Sequence, residues 1–93
     1  MDPDELLKKL VTETRMLSQP IDFAELERRG VISKAGKTWY RLHNPHDLPE
    51  HAAKKIREVV QDANGIRVKF EGTFQYERLA KRFEKMAAKK GLL

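Results

Sequence analysis

Apolar residues at helical spacing mark the start of the chain as a helix. Asp2 and Pro3 are a suitable cap and first-turn residue, and Pro20 pushes the residue before it out of helical conformation. The pattern predicts a helix over about residues 3–17. Its apolar stripe contains Leu6, Leu7, Leu10, Val11 and Leu17.

A two-turn helix and a β-hairpin are predicted next. The short helix starts after a capping Asp22 and ends at Gly30. Two β-prone runs then flank Gly36, which accepts the positive φ that a tight turn requires. Trp39 and Tyr40 are consecutive, so we expect one of them in the core and the other on the opposite face of the strand.

The middle of the chain is predicted to form a third helix followed by one strand. Asp47 can cap the helix and Asn64-Gly65 can end it. Apolar side chains recur within it at Leu48, Ala52, Ile56, Val59 and Ala63. The strand that follows alternates Ile66, Val68 and Phe70 with Arg67 and Lys69, which is typical of a sheet with one wet, basic face.

The last segment, from Thr73, has the strongest helical pattern in the sequence. Its apolar stripe comprises Tyr76, Leu79, Ala80, Phe83, Met86 and Ala87. The opposite side carries five cations at helical spacing, namely Arg78, Lys81, Arg82, Lys85 and Lys89.

These elements predict a single α+β domain over residues 1–93, in the order α-α-β-β-α-β-α. A small, largely antiparallel sheet, made of the hairpin and one strand, would pack against about four helices. A chain of 93 residues is long enough for one modest core.

The composition indicates the cellular compartment and the class of partner. The sequence has no cysteine and no apolar run near the ~20 residues that span a bilayer, so we expect a cytoplasmic protein without membrane contact. The formal net charge of +5 favours encounters with polyanions.

The basic row on the last helix makes nucleic acid the preferred partner. Such a row can neutralise several phosphates and release their counterions. Lys34, Lys37 and Arg41 of the hairpin would add contacts. We therefore predict a small DNA-binding module that contacts the phosphate backbone. The simpler interpretation is a solvated helix face on which Glu77 pairs with Lys81.

One stretch resembles a known family. "GVISKAGKTWYRL" followed by "AAKKIREVV", about residues 30–60, resembles the C-terminal DNA-binding domain of the bacterial recombinase RecA. The resemblance implies a small accessory domain that contacts duplex DNA. The positions that would carry this contact are Lys34, Lys37, Lys54, Lys55 and Arg57. The chain has no P-loop, so recombinase activity is not implied.

Catalysis and metal binding have weaker support. His43, His46 and His51 lie near Asp47, but their spacing fits no zinc motif and Asp47 is accounted for as a cap. No phosphate-binding glycine loop or nucleophile elbow is present. We predict no catalytic residue, no metal, no cofactor and no small-molecule substrate.

A protein-interaction module or small regulator, including a homodimeric one, is the alternative. Met86 and the terminal "GLL" supply apolar residues beyond those that the predicted core needs.

Overall fold

The computed structural model describes all 93 residues and has an α+β fold with an antiparallel sheet, which confirms the predicted class. The helices and strands, in chain order, are α1 Pro3–Leu17, α2 Phe23–Arg28, β1 Ile32–Lys34, β2 Tyr40–Leu42, α3 Glu50–Ala53, β3 Ile56–Asp62, β4 Gly65–Phe70 and α4 Phe74–Lys89. A 3-10 turn covers Pro45–Asp47. None of the helices combines the length and the hydropathy that a membrane-spanning segment requires.

The third helix is much shorter than the sequence pattern predicts. It ends at Ala53, and Ile56 and Val59, which were predicted to continue it, lie in strand β3. Val59 and Val60 are β-branched, and Gly65 takes a φ of +116° after the turn that joins β3 to β4. Ala63 and Asn64, followed by Gly65, therefore turn a hairpin instead of ending a helix.

Four strands form one antiparallel sheet in the order β1-β2-β4-β3. Tyr40 lies opposite Val68 and Arg41 lies opposite Arg67 in the central pair of strands. β3 pairs with β4 from Ile56 to Asp62, with a bulge between Ile56 and Glu58. The long strand β3 is consequently an edge of the sheet.

The chain divides into two compact units, Met1–Pro20 with Gly72–Leu93, and Ile21–Glu71. The prediction of a single domain stays a prediction. In the first unit, α1 and α4 pack together around a core of Leu7, Val11 and Ala87, joined by Phe83 and Leu92. Two ion pairs link these helices, Arg15 with Glu84 at 2.6 Å and Lys90 with Asp4 at 3.2 Å.

The second unit has an aromatic cluster on one face of its sheet. The ring of Tyr40 stacks on Phe23 of α2 at a centroid distance of 4.9 Å, and Phe70 meets both rings edge-on at 5.6 and 6.0 Å. Leu26, Val31 and Ile32 are buried alongside. Trp39 contacts the side chains of Arg67 and Lys69 instead, so the two consecutive aromatic residues do serve opposite faces.

The predicted caps are confirmed at the first two helices only. Asp2 accepts a hydrogen bond from the Asp4 N–H at 3.2 Å, and Asp22 accepts one from the Glu25 N–H at 3.1 Å. The cap predicted at Asp47 is wrong. Its carboxylate accepts a hydrogen bond from the side-chain amide of Asn44, and Pro49 occupies the N-cap position of α3.

Replacing Phe23 by Ala tests the aromatic cluster. We expect the free energy of unfolding to fall by about 3 kcal/mol, since the change removes the ring that packs on both Tyr40 and Phe70. Phe74→Ala is the matched control, because Phe74 is 69% exposed and its truncation should change stability by less than about 0.5 kcal/mol. Urea unfolding followed by circular dichroism measures both; equal destabilisation would contradict the cluster's role.

Candidate nucleic-acid interface

Helix α4 presents its five predicted cations to solvent. Arg78, Lys81, Arg82, Lys85 and Lys89 are all exposed, and none of them forms an ion pair. We call this set the α4 row. The pairing of Glu77 with Lys81, which would have explained part of the row as a self-neutralised surface, is absent from the structure. The charge of the row is therefore unmatched on its own helix.

Helix geometry concentrates the α4 row on one side. Each residue turns the helix by about 100°, so the five positions fall within an arc of about 100°. Arg78 and Lys89 are separated along the axis by about 16 Å at 1.5 Å per residue. A single extended polyanion lying along the helix can meet all five side chains.

A shallow concavity of about 250 Å³ lies at the N-terminal half of the row. Arg78 and Arg82 line it together with Gln75, Tyr76 and Leu79. Side chains at i and i+4 are neighbours on a helix surface, and guanidinium groups bind phosphate oxygens in bidentate fashion. This end of the row therefore offers shape as well as charge to a phosphate.

The three predicted cations of the first hairpin differ in their availability. Lys34 and Lys37 are exposed and form no ion pair. Arg41 donates two hydrogen bonds to Asp62, at 2.8 and 3.3 Å, and its side chain is mostly buried. Arg41 is thus committed to the sheet, which removes it from the surface that can meet a phosphate.

The carboxylate of Asp62 contacts three other residues. Besides Arg41, it accepts the backbone N–H of Asn64 at 2.8 Å, and its Oδ2 lies 3.0 Å from Nε of Arg67. The hydrogen bonds from Arg41 and then from Asn64 hold the pKa of Asp62 below its usual value. No sequence signal indicates this cluster, because residue 62 falls at the end of a predicted helix.

Trp39 and two carboxylates engage the cations on the polar face of the sheet. The Arg67 guanidinium lies 5.1 Å and the Lys69 ammonium 4.8 Å from the centre of the Trp39 ring. Lys69 also lies 3.9 Å from Glu58. The face is wet, as predicted, but its cations are engaged by Trp39, Asp62 and Glu58.

The residues implied by the recombinase resemblance do not form one surface row. Lys54 lies 3.5 Å from Glu50 in an ion pair. Lys55 is 0% exposed, so its ammonium group cannot contact a ligand at the surface. Arg57 is exposed, but on strand β3 and not on a basic helix. We therefore exclude Lys55 from the candidate interface.

The histidines serve no common site. Nε2 of His43 lies 2.7 Å from the hydroxyl of Ser33, within hydrogen-bonding distance. The structure has no group of three or more His, Cys, Asp or Glu side chains placed to hold a metal ion.

The apolar residues that suggested a protein-interaction module lie in different surroundings. Leu92 packs against the core of the helical unit. Met86 is half exposed and lines a groove of about 240 Å³ with Leu6, Leu10 and Phe83. A role in protein interaction stays a prediction.

No protein-family model, curated protein or solved structure matches this chain. The recombinase resemblance accordingly remains an expectation from a short stretch of sequence.

Asp62→Asn tests the carboxylate cluster through the pH dependence of stability. A folded-state pKa below the unfolded value means that Asp62 stabilises the fold above its unfolded pKa, which is about 3.9, and no longer does so as the pH falls through the folded pKa. We expect the variant to be less stable than the native chain at pH 7, and the difference to shrink as the pH falls below the unfolded pKa, measured by urea unfolding.

Glu58→Gln is the control for this experiment. It removes the same charge from the same strand, and the ion pair of Glu58 is long at 3.9 Å. Its stability difference from the native chain should be smaller at pH 7. A deficit for Asp62→Asn that persists unchanged at pH 2 would show that the charge of Asp62 is not what matters.

Proposed function

We propose that this protein is a small, non-enzymatic, cytoplasmic module that binds nucleic acid through the phosphate backbone, with duplex DNA as the preferred ligand. One observation carries the proposal: the α4 row gathers five exposed cations on one arc of one helix, and none has a carboxylate partner. A row of that kind recruits negative charge from outside the protein.

The chemistry of the row favours a polyanion over a single small anion. Five cations along about 16 Å of helix match a ligand that offers charge repeatedly along its length. Contacts to phosphates position a protein on its ligand without reading the bases. We therefore propose binding with little sequence preference.

Two further features support contact by the first hairpin. Lys34 and Lys37 are exposed and unpaired, and both are among the positions that the resemblance to the recombinase domain implies. The hairpin should contribute less than the α4 row, because Lys34 and Lys37 act without Arg41, which is held by Asp62, and without Lys55, which is buried.

The test is a titration of duplex DNA, single-stranded DNA and duplex RNA at two salt concentrations. The triple variant Lys81→Gln, Arg82→Gln, Lys85→Gln should bind duplex DNA at least about tenfold more weakly than the native chain at 50 mM salt. The slope of log affinity against log salt should become shallower by about 2.7, because each phosphate that a cation neutralises contributes about 0.9 to that slope.

A charge-matched variant separates the row from net charge. Lys8→Gln, Lys9→Gln, Arg29→Gln removes three exposed cations that lie outside the row. It should keep most of the affinity and a salt slope close to that of the native chain. Equal weakening in the two triple variants would assign binding to net charge alone, and no binding of any nucleic acid at low salt would overturn the proposal.

A further inference from the structure

Strand β3 leaves one edge of the sheet open. The strand order places β1 and β3 at the two edges. β1 is three residues long and ends at Lys34, whereas β3 runs for seven residues, from Ile56 to Asp62. Edge strands that are short or charged resist pairing with another chain. β3 is the longer edge, and its middle residues Val59 and Val60 carry no charge.

The middle of β3 exposes apolar side chains on both faces of the sheet. Val59 is 60% exposed and Val60 is 36% exposed. Consecutive residues of a strand point to opposite faces, so no single layer packed on the sheet would cover both. A strand added at the edge does cover both, because it brings side chains to each face.

We propose that β3 pairs antiparallel with β3 of a second copy of this chain, about a two-fold axis at Val59. The two four-stranded sheets then form one continuous sheet of eight strands. A two-fold axis makes the contact self-complementary and closed, which limits the assembly to a dimer.

The sequence of β3 selects this register. In antiparallel pairing about a two-fold axis, facing residues must lie on the same side of the sheet. The pairing therefore shifts by two residues each time the axis moves by one residue. Val59 lies next to the middle of Glu58–Asp62, the stretch that pairs regularly with β4, and an axis at Val59 sets Glu58 against Val60 of the second copy. Shifting the axis to Glu58 sets two glutamates against each other, and shifting it to Val60 sets Glu58 against Asp62. Like charges in these positions destabilise a pair of strands.

The charge of β3 is compatible with a contact between copies. Two chains with a net charge of +5 repel each other. β3 contains one cation, Arg57, against the two carboxylates Glu58 and Asp62, so it is a segment without positive net charge. The bulge lies at its start, and the pairing with β4 is regular from Glu58 to Asp62.

Sedimentation equilibrium over a range of concentrations tests the proposal. The native chain should show a reversible monomer–dimer equilibrium, and Val59→Lys should weaken it at least tenfold, because two ammonium groups would meet at the axis. The substitution should leave the fold intact, since Val59 is largely exposed and a lysine stem can cover similar apolar surface. Circular dichroism and thermal unfolding verify this.

The absence of cysteine from the chain allows a direct test of the register. In the proposed dimer, the two Val59 residues face each other with Cα atoms about 4.5 to 5.5 Å apart, within the range that a disulfide bridges. Val59→Cys should therefore form a covalent dimer under mild oxidation by an added copper–phenanthroline catalyst. Ala63→Cys is the control, because the register separates two copies of residue 63 by eight positions, or about 27 Å.

A chain that stays monomeric up to millimolar concentration would overturn the inference. So would a dimer that Val59→Lys leaves unchanged, equal cross-linking at positions 59 and 63, or growth into larger assemblies. Because Val59 lies outside the α4 row, these outcomes are independent of whether the Gln variants alter DNA binding.

Discussion

The carboxylate of Asp62 is the interaction on which the sheet and its surface both depend. It accepts the Asn64 N–H within the turn between β3 and β4, and it joins the side chains of Arg41 in β2 and Arg67 in β4. One side chain thus links three of the four strands on the polar face. Because it pairs with Arg41 and Arg67, it also lowers the unmatched positive charge of this face. The cations that Asp62 engages lie on the sheet, whereas the five cations of α4 have no carboxylate partner.

Local signals in the sequence were enough to place most elements. Asp2 and Asp22 cap their helices as predicted, and the alternation around Trp39 and Tyr40 correctly assigned one ring to each face. The failure at β3 has a physical cause. Ile56, Val59 and Ala63 fit a helical period, yet Val59-Val60 and the Asn-Gly turn favour a strand. The strand forms because residues 56–62 pair with β4. The sequence pattern had assigned these two segments to different elements, so it did not show the pairing.

The candidate interface was predictable where it depends on one helix and unpredictable where it depends on contacts between segments. The α4 row follows from spacing alone, so its exposure on a single arc was visible in the sequence. The ion pair of Arg41 with Asp62 joins residues twenty-one positions apart, and Lys55 is buried although its spacing in the sequence gives no sign of this. Charge counted along a sequence overstates the charge that a ligand meets, because tertiary contacts engage part of it.

The distribution of charge separates two kinds of surface in this small chain. Helix α4 has five cations against two carboxylates, so its surface attracts a polyanion and repels its own copy. Strand β3 has no positive net charge and exposes valines and unpaired backbone groups, so its edge suits a β-strand and offers little to a phosphate. The proposed pairing of β3 uses no residue of the α4 row. The two proposals therefore concern different elements with different chemistry, and each stands or falls on its own residues.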